Sequence, residues 1–166
     1  MRLSVGVLVC AGLLTGCAPA QGASGSGPQA FAGCYRLTFG EWHYRKEKLD
    51  IQDGVRSIQL TSQPSIPDRY GDGAKSLVGH LVAGPGFGPY APPVTPGWNV
   101  IRDQPPGFVF RIADKLFGVE MVARGTGTPL TGTVSVFFDT PATDTSAKVT
   151  TVRAEATLQA ERTACP

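Results

Sequence analysis

An all-β fold is predicted for this chain, a small antiparallel up-and-down β-barrel with a β-sandwich as the alternative, and three observations predict it. Short segments rich in Val, Ile, Phe and Thr recur with apolar residues at every second position, the period of a strand that buries one face. Between them lie short stretches dense in Gly, Pro and Asp, which join neighbouring antiparallel strands rather than βαβ units. Finally, Cys34 and Cys165 stand at the two ends of this pattern. A bond between them would bring the first and last strands together, as closure of a barrel requires. Chain termini often lie close, so a sandwich would also permit it.

The elements follow in order. Over 31–39, Tyr35, Leu37 and Phe39 share one face while Cys34, Arg36 and Thr38 share the other, a strand period. The polar connection over 40–54 gathers Trp42, His43, Tyr44, Arg45, Lys46 and Lys48. It reads as a solvated loop or short helix whose Trp caps the core, or as an aromatic-basic patch for an anionic headgroup or glycan. A second strand is expected over 55–61 on Ile58 and Leu60, ended by Pro64 and Pro67. Residues 68–76 have the look of a phosphate or calcium loop. However, Ala74 separates Gly73 from Lys75 and the acids lack alternate spacing, so a turn is expected. Residues 77–83 read as a strand buried on both faces, with His80 as a packed core residue. The Pro- and Gly-rich stretch 84–97 carries Phe87 and Tyr90 and leads into Trp98. It cannot be a helix or a central strand, and reads either as a binding loop or as a strap across one end of the core.

The C-terminal half has the clearest alternation, over 98–101, 108–112, 117–123 and 133–139. The last segment, 149–160, sets Val152, Ala154, Ala156, Leu158 and Ala160 against Arg153, Glu155, Thr157, Gln159 and Glu161. Its period favours a strand, although its Ala, Glu and Gln content also suits a helix.

The chain opens with Met1-Arg2 and an apolar run to Leu14, interrupted by Ser4. That run is too short to span a bilayer and suits the core of a signal peptide. It ends in Leu14-Thr15-Gly16-Cys17, which resembles the lipobox of bacterial lipoproteins. The resemblance implies cleavage before Cys17 and lipid on its sulfur, an anchor of two or three acyl chains. Ala18, where an Asp would signal inner-membrane retention, implies the outer membrane, with the domain facing the periplasm or the surface. Ala18-Pro19-Ala20 offers an alternative secretory cleavage site that would release a soluble product starting at Gln21. The expected organisation is a signal peptide over 1–16, a lipidated Cys and flexible tether over 17–29 and one β domain over 30–166. With Cys10 in the signal and Cys17 on lipid, Cys34 and Cys165 remain as a disulfide pair. By chain entropy such a bond contributes at most about 5 kcal/mol.

The start of the β domain bears a second resemblance, to lipocalins, which open their first strand with Gly-x-Trp. Here Gly33-Cys34-Tyr35 has Tyr in the Trp position, and a literal Gly40-Glu41-Trp42 follows the strand. In that family a basic residue of the last strand packs on the Trp, and Arg162 is the late candidate. The likeness implies topology and carries over no ligand contacts.

Function is bounded as follows. A formal net charge of +2 without a basic face argues against nucleic acid. Nucleophile-elbow, metalloprotease and nucleotide motifs are missing, as is metal-ligand spacing, so no catalytic residue, metal or cofactor is expected. The expected function is a lipid-anchored envelope monomer binding a small apolar ligand through Trp42, Tyr44, Phe87, Tyr90 and Trp98. The alternative is an interaction protein with a filled core that binds an envelope partner.

Overall fold

The computed structural model describes residues 27–51, 56–64, 76–83, 87, 95–114, 117–141 and 148–166. Cys17, the expected tether up to 26, the turn over 68–75 and Tyr90 lie outside them. A helical turn, α1 (Pro28–Phe31), precedes nine strands: β1 (Gly33–Phe39), β2 (His43–Tyr44), β3 (Ser57–Pro64), β4 (Leu77–Ala83), β5 (Gly97–Ile101), β6 (Gly107–Ala113), β7 (Phe117–Arg124), β8 (Leu130–Pro141) and β9 (Lys148–Thr163). All pairings are antiparallel and follow chain order from β3 to β9, and β9 returns to β1. The result is a closed eight-stranded up-and-down barrel with β2 as an extra strand. Closure removes the sandwich alternative, because β1 is bonded on both sides, to β3 and to β9.

The helix-prone composition of β9 yields to its period. Ala154, Ala156, Leu158 and Ala160 are all buried on the inner face, a row that only a strand can present. Two local departures from the sequence reading have physical causes. The connection 40–54 contains β2, because β9 runs beyond Phe39 and its free edge collects His43 against Glu155 and Tyr44 against Ala154. The ladder is continued by the Gly40 N–H to the Thr157 carbonyl (3.0 Å) and the Arg45 N–H to the Arg153 carbonyl (2.9 Å). His80, expected in the core, is exposed and lies opposite Gln59 on β3. In β4 the inner phase belongs to Leu77 and Gly79, so strand alternation sends His80 outward.

Among the described residues, the interior sets a wall of large residues against a wall of small ones. Trp98 of β5, Phe108, Phe110 and Ile112 of β6 and Met121 of β7 are 0–1% exposed. Ala154, Ala156 and Ala160 of β9 supply the small side. At Gly79, a Cβ would come 2.5 Å from Cε2 of Phe110, so the missing side chain is the space that the Phe110 ring occupies. The indole N–H of Trp98 donates to the Thr61 carbonyl at 2.8 Å, which satisfies the one polar atom that this large core residue brings with it.

One end of the barrel is closed by α1. Pro28 opens this turn, where its fixed φ costs nothing, and Phe31 packs edge-on against Phe108 with ring centroids 6.5 Å apart. Tyr35 stacks obliquely on Phe108 at 5.2 Å and its hydroxyl donates to the Phe31 carbonyl at 2.8 Å. Arg162, in register with Tyr35, donates to the carbonyls of Ala30 and Ala32. Gly33, at φ +141°, is a position for glycine, and a Cβ there would also press within 3.1 Å of the Arg162 guanidinium. Cys34 and Cys165 are bonded beside this assembly, with Cα atoms 5.2 Å apart.

Two expectations follow. Cys34→Ser with Cys165→Ser removes the covalent closure of nearly the whole domain and lowers unfolding free energy by about 2–5 kcal/mol, checked by urea denaturation of oxidised wild type and variant. Burial pushes the Tyr35 phenol above its ordinary value, with the Arg162 guanidinium opposing the rise. The folded state thus prefers the neutral phenol, so its stabilisation is full below about pH 10 and is lost as pH climbs through the raised value. Between about pH 8 and 11 the urea midpoint of wild type should fall more steeply than that of Tyr35→Phe.

Candidate binding site at the barrel mouth

At the end opposite α1, the chain passes from β2 to β3, β4 to β5, β6 to β7 and β8 to β9. Among the described residues the ladder between β4 and β5 is short there. Registered pairing of β4 with β5 is confined to Leu77 with Trp98 and Val78 with Gly97, extended by one bond from the Gly79 N–H to the Pro96 carbonyl at 2.9 Å. Beyond Gly79, β4 runs past the start of β5. Leu81, on the inner phase of β4, is consequently 38% exposed, the one large hydrophobic residue exposed to this degree among those described.

Phe87 plugs the mouth. It is 1% exposed and joins the core cluster, its ring 5.8 Å from that of Phe39. Phe39 in turn meets Trp42 at 6.2 Å. Trp42, Tyr44 and Ile51 are half-buried against the same cluster, and Leu49 is buried within it. The indole Nε1 of Trp42 is buried without a hydrogen-bond partner. An unmade bond on a buried donor costs about 1–3 kcal/mol.

A bulge builds the other side of the rim. Ala154 opposes Val136, whereas Val152 opposes Phe137, so Arg153 is an extra residue with no counterpart on β8. Its guanidinium carbon lies 5.4 Å from the centroid of the Phe138 ring, within the range of a cation–π contact. Phe138 stacks obliquely on Phe117 at 6.0 Å. Both alternate with inner residues, Val136 and Val119, and so stand on the inner phase at the rim. Arg153 is therefore set beside this rim pair. Its Nε is buried without a partner, and the ion pairs among the described residues, Arg36 with Glu161 and Arg45 with Glu155, leave it without a carboxylate.

The structure thus joins Trp42, Tyr44 and Phe87 at one end of the barrel. Trp98 sits in the packed interior with its N–H bonded, and Tyr90 and Cys17 lie outside the described residues. Arg153, Phe117, Phe138 and Leu81 belong to the rim although sequence reasoning gave them no role. Strict alternation assigns Arg153 to the outer face and gives it no contact with Phe138; the inserted residue shifts the pairing with β8 and makes that contact. No local signature in the sequence marks the bulge. Among the described residues no group of His, Cys, Asp or Glu is placed to hold a metal ion, and no helix is long and apolar enough to cross a membrane. Among the described residues this end joins aromatic surface, the Arg153 guanidinium and the buried, unpaired indole donor of Trp42. No protein-family model, curated protein or solved structure matches this chain.

Proposed function

We propose that this protein is a lipid-anchored component of the bacterial cell envelope, without catalytic activity, whose filled barrel acts as a rigid interaction module. Its binding is done at the surface and mouth, not in an internal cavity. The observation that carries this reading is the packing of the interior. A void large enough for water beside Trp98, Phe108, Phe110 or Met121 would expose them, and each is 0% exposed. Barrels of eight strands can be filled or can hold one small ligand, and this packing favours the filled form over the carrier of a small apolar ligand. Kinship with lipocalins is supported by the closed end, where Arg162 crosses Gly33-Cys34-Tyr35 and ties down α1. The anchor reading rests on Leu14-Thr15-Gly16-Cys17, and the bonded Cys34 and Cys165 suit an oxidising compartment.

Cys17→Ala is expected to abolish labelling by radioactive palmitate and to release the protein from the membrane fraction; retention of either would refute the anchor. Benzene is expected to leave the thermal midpoint of the wild-type protein unchanged and to raise that of Phe110→Ala, whose truncated ring opens a dry cavity. A comparable rise in wild type would restore the internal-ligand reading.

A further inference from the structure

We infer that the barrel mouth binds an acidic amphiphile, a molecule with an anionic head on an acyl chain, with Arg153 holding the head and the aromatic rim carrying the chain. This deepens the reading of a filled interaction module by naming what one end of it takes. It does not depend on the anchor at Cys17.

Charge sets the class. Arg153 is the extra residue of the bulge opposite Val136 and Phe137, and it rests on the face of Phe138 at the rim. No carboxylate among the described residues pairs with it, and its Nε is buried and unbonded. A guanidinium held this way presents a planar fork suited to a carboxylate or phosphate. A second unsatisfied donor, Trp42 Nε1, lies on the same corner. Tyr44 pairs with Ala154, and the Arg45 N–H donates to the Arg153 carbonyl, so Trp42 and Arg153 flank one short ladder. Their backbones stand about 10 Å apart by strand rise. The ligand therefore carries an anion for Arg153, and an ester or hydroxyl oxygen further along can accept from Trp42.

Apolar surface sets the rest. Phe117, Phe138 and Tyr44 are half-buried at the rim, and Leu81 is exposed near the end of β4. Phe87 fills the way inward, so the chain of the ligand lies across the rim and does not enter the barrel. A bare anion would leave the rim unused, and a neutral alkane would leave both donors unpaired.

The test uses the protein as purified, in phosphatidylcholine nanodiscs, with signals from empty discs subtracted, and reads Trp fluorescence. The probes are octanoate, octyl phosphate, octanol, inorganic phosphate and polyglutamate. Octanoate and octyl phosphate are expected to give saturable changes that vanish in Trp42→Phe, and to bind at least about tenfold more tightly than octanol or inorganic phosphate. Arg153→Gln should reduce their affinity to that of octanol, Arg153→Lys should restore part of it, and Arg45→Gln on the outer ion pair should change nothing. The comparison of probes on wild type stands even where a variant fails to fold. Octanol binding as tightly as octanoate, unchanged affinity in a folded Arg153→Gln, or binding of polyglutamate in place of the amphiphiles would each overturn the proposal. The last outcome would assign the mouth to an acidic protein segment.

Discussion

The rest of this structure depends on closure of the sheet between β1 and β9. Once Cys34 through Phe39 lie against Thr163 through Leu158, the sheet is joined to itself, and along this seam parity sets which side of the wall each residue takes. A slip of one residue would turn Tyr35, Leu37, Ala160 and Leu158 out into water together. The register is held by more than backbone bonds. Arg162 reaches from the last strand to the carbonyls of α1, Arg36 pairs with Glu161 across the outer face, and the disulfide joins the ends of the same two strands. The exposed ion pair adds little by itself. Burial of the inner row and the covalent link supply most of the hold.

Closure also explains why the interior is asymmetric. A small barrel has room for only part of the volume that a uniformly large inner face would bring. Here β6 contributes Phe108 and Phe110 while β9 contributes Ala154, Ala156 and Ala160, and β4 gives up a side chain at Gly79 so that Phe110 can lie against it. Enlarging one of these small positions would force a neighbour off its rotamer. Conversely, the Ala-rich composition that makes β9 look helical is the complement of the aromatic wall. The helical signal of 149–160 and the Phe content of 108–110 are two halves of one packing solution.

What could be read from the sequence follows from this. Period two places Tyr35, Leu37, Val119, Met121, Val134 and Ala156 on the inner face, and the pair Cys34 and Cys165 predicts which strands meet. Both are properties that parity and chain order carry directly. The outward side of His80 is not legible, because a mostly apolar run hides which phase faces inward and Gly79, with no side chain, hides it further. Trp98 was assigned to the mouth from its neighbours in the chain, yet its side chain turns to the interior, where Thr61 accepts its N–H. Arg153 is hidden for a different reason: a bulge adds a residue without changing composition, and it shifts the pairing with β8 by one residue. The rim is thus the least legible part of the fold, since it is built where regular pairing stops.

The two ends of the barrel have opposite characters, and the chain enters at only one of them. Gly27 and α1 lie at the closed end, so under the lipid-anchor proposal the tether from Cys17 arrives on the far side from Trp42 and Arg153. The stretch between Cys17 and Gly27 spans at most about 35 Å fully extended. A strand the length of β7, tilted as in small barrels, covers about 20 Å of barrel height. To turn the mouth onto its own membrane the tether would have to run back along the whole wall, which takes more than half of its contour and the chain entropy that goes with it. The orientation of lower cost points the mouth away from the anchoring leaflet, toward molecules that arrive from across the compartment. In that geometry the anchor supplies position, the closed end supplies rigidity, and recognition is left to the rim where Arg153 stands over Phe138.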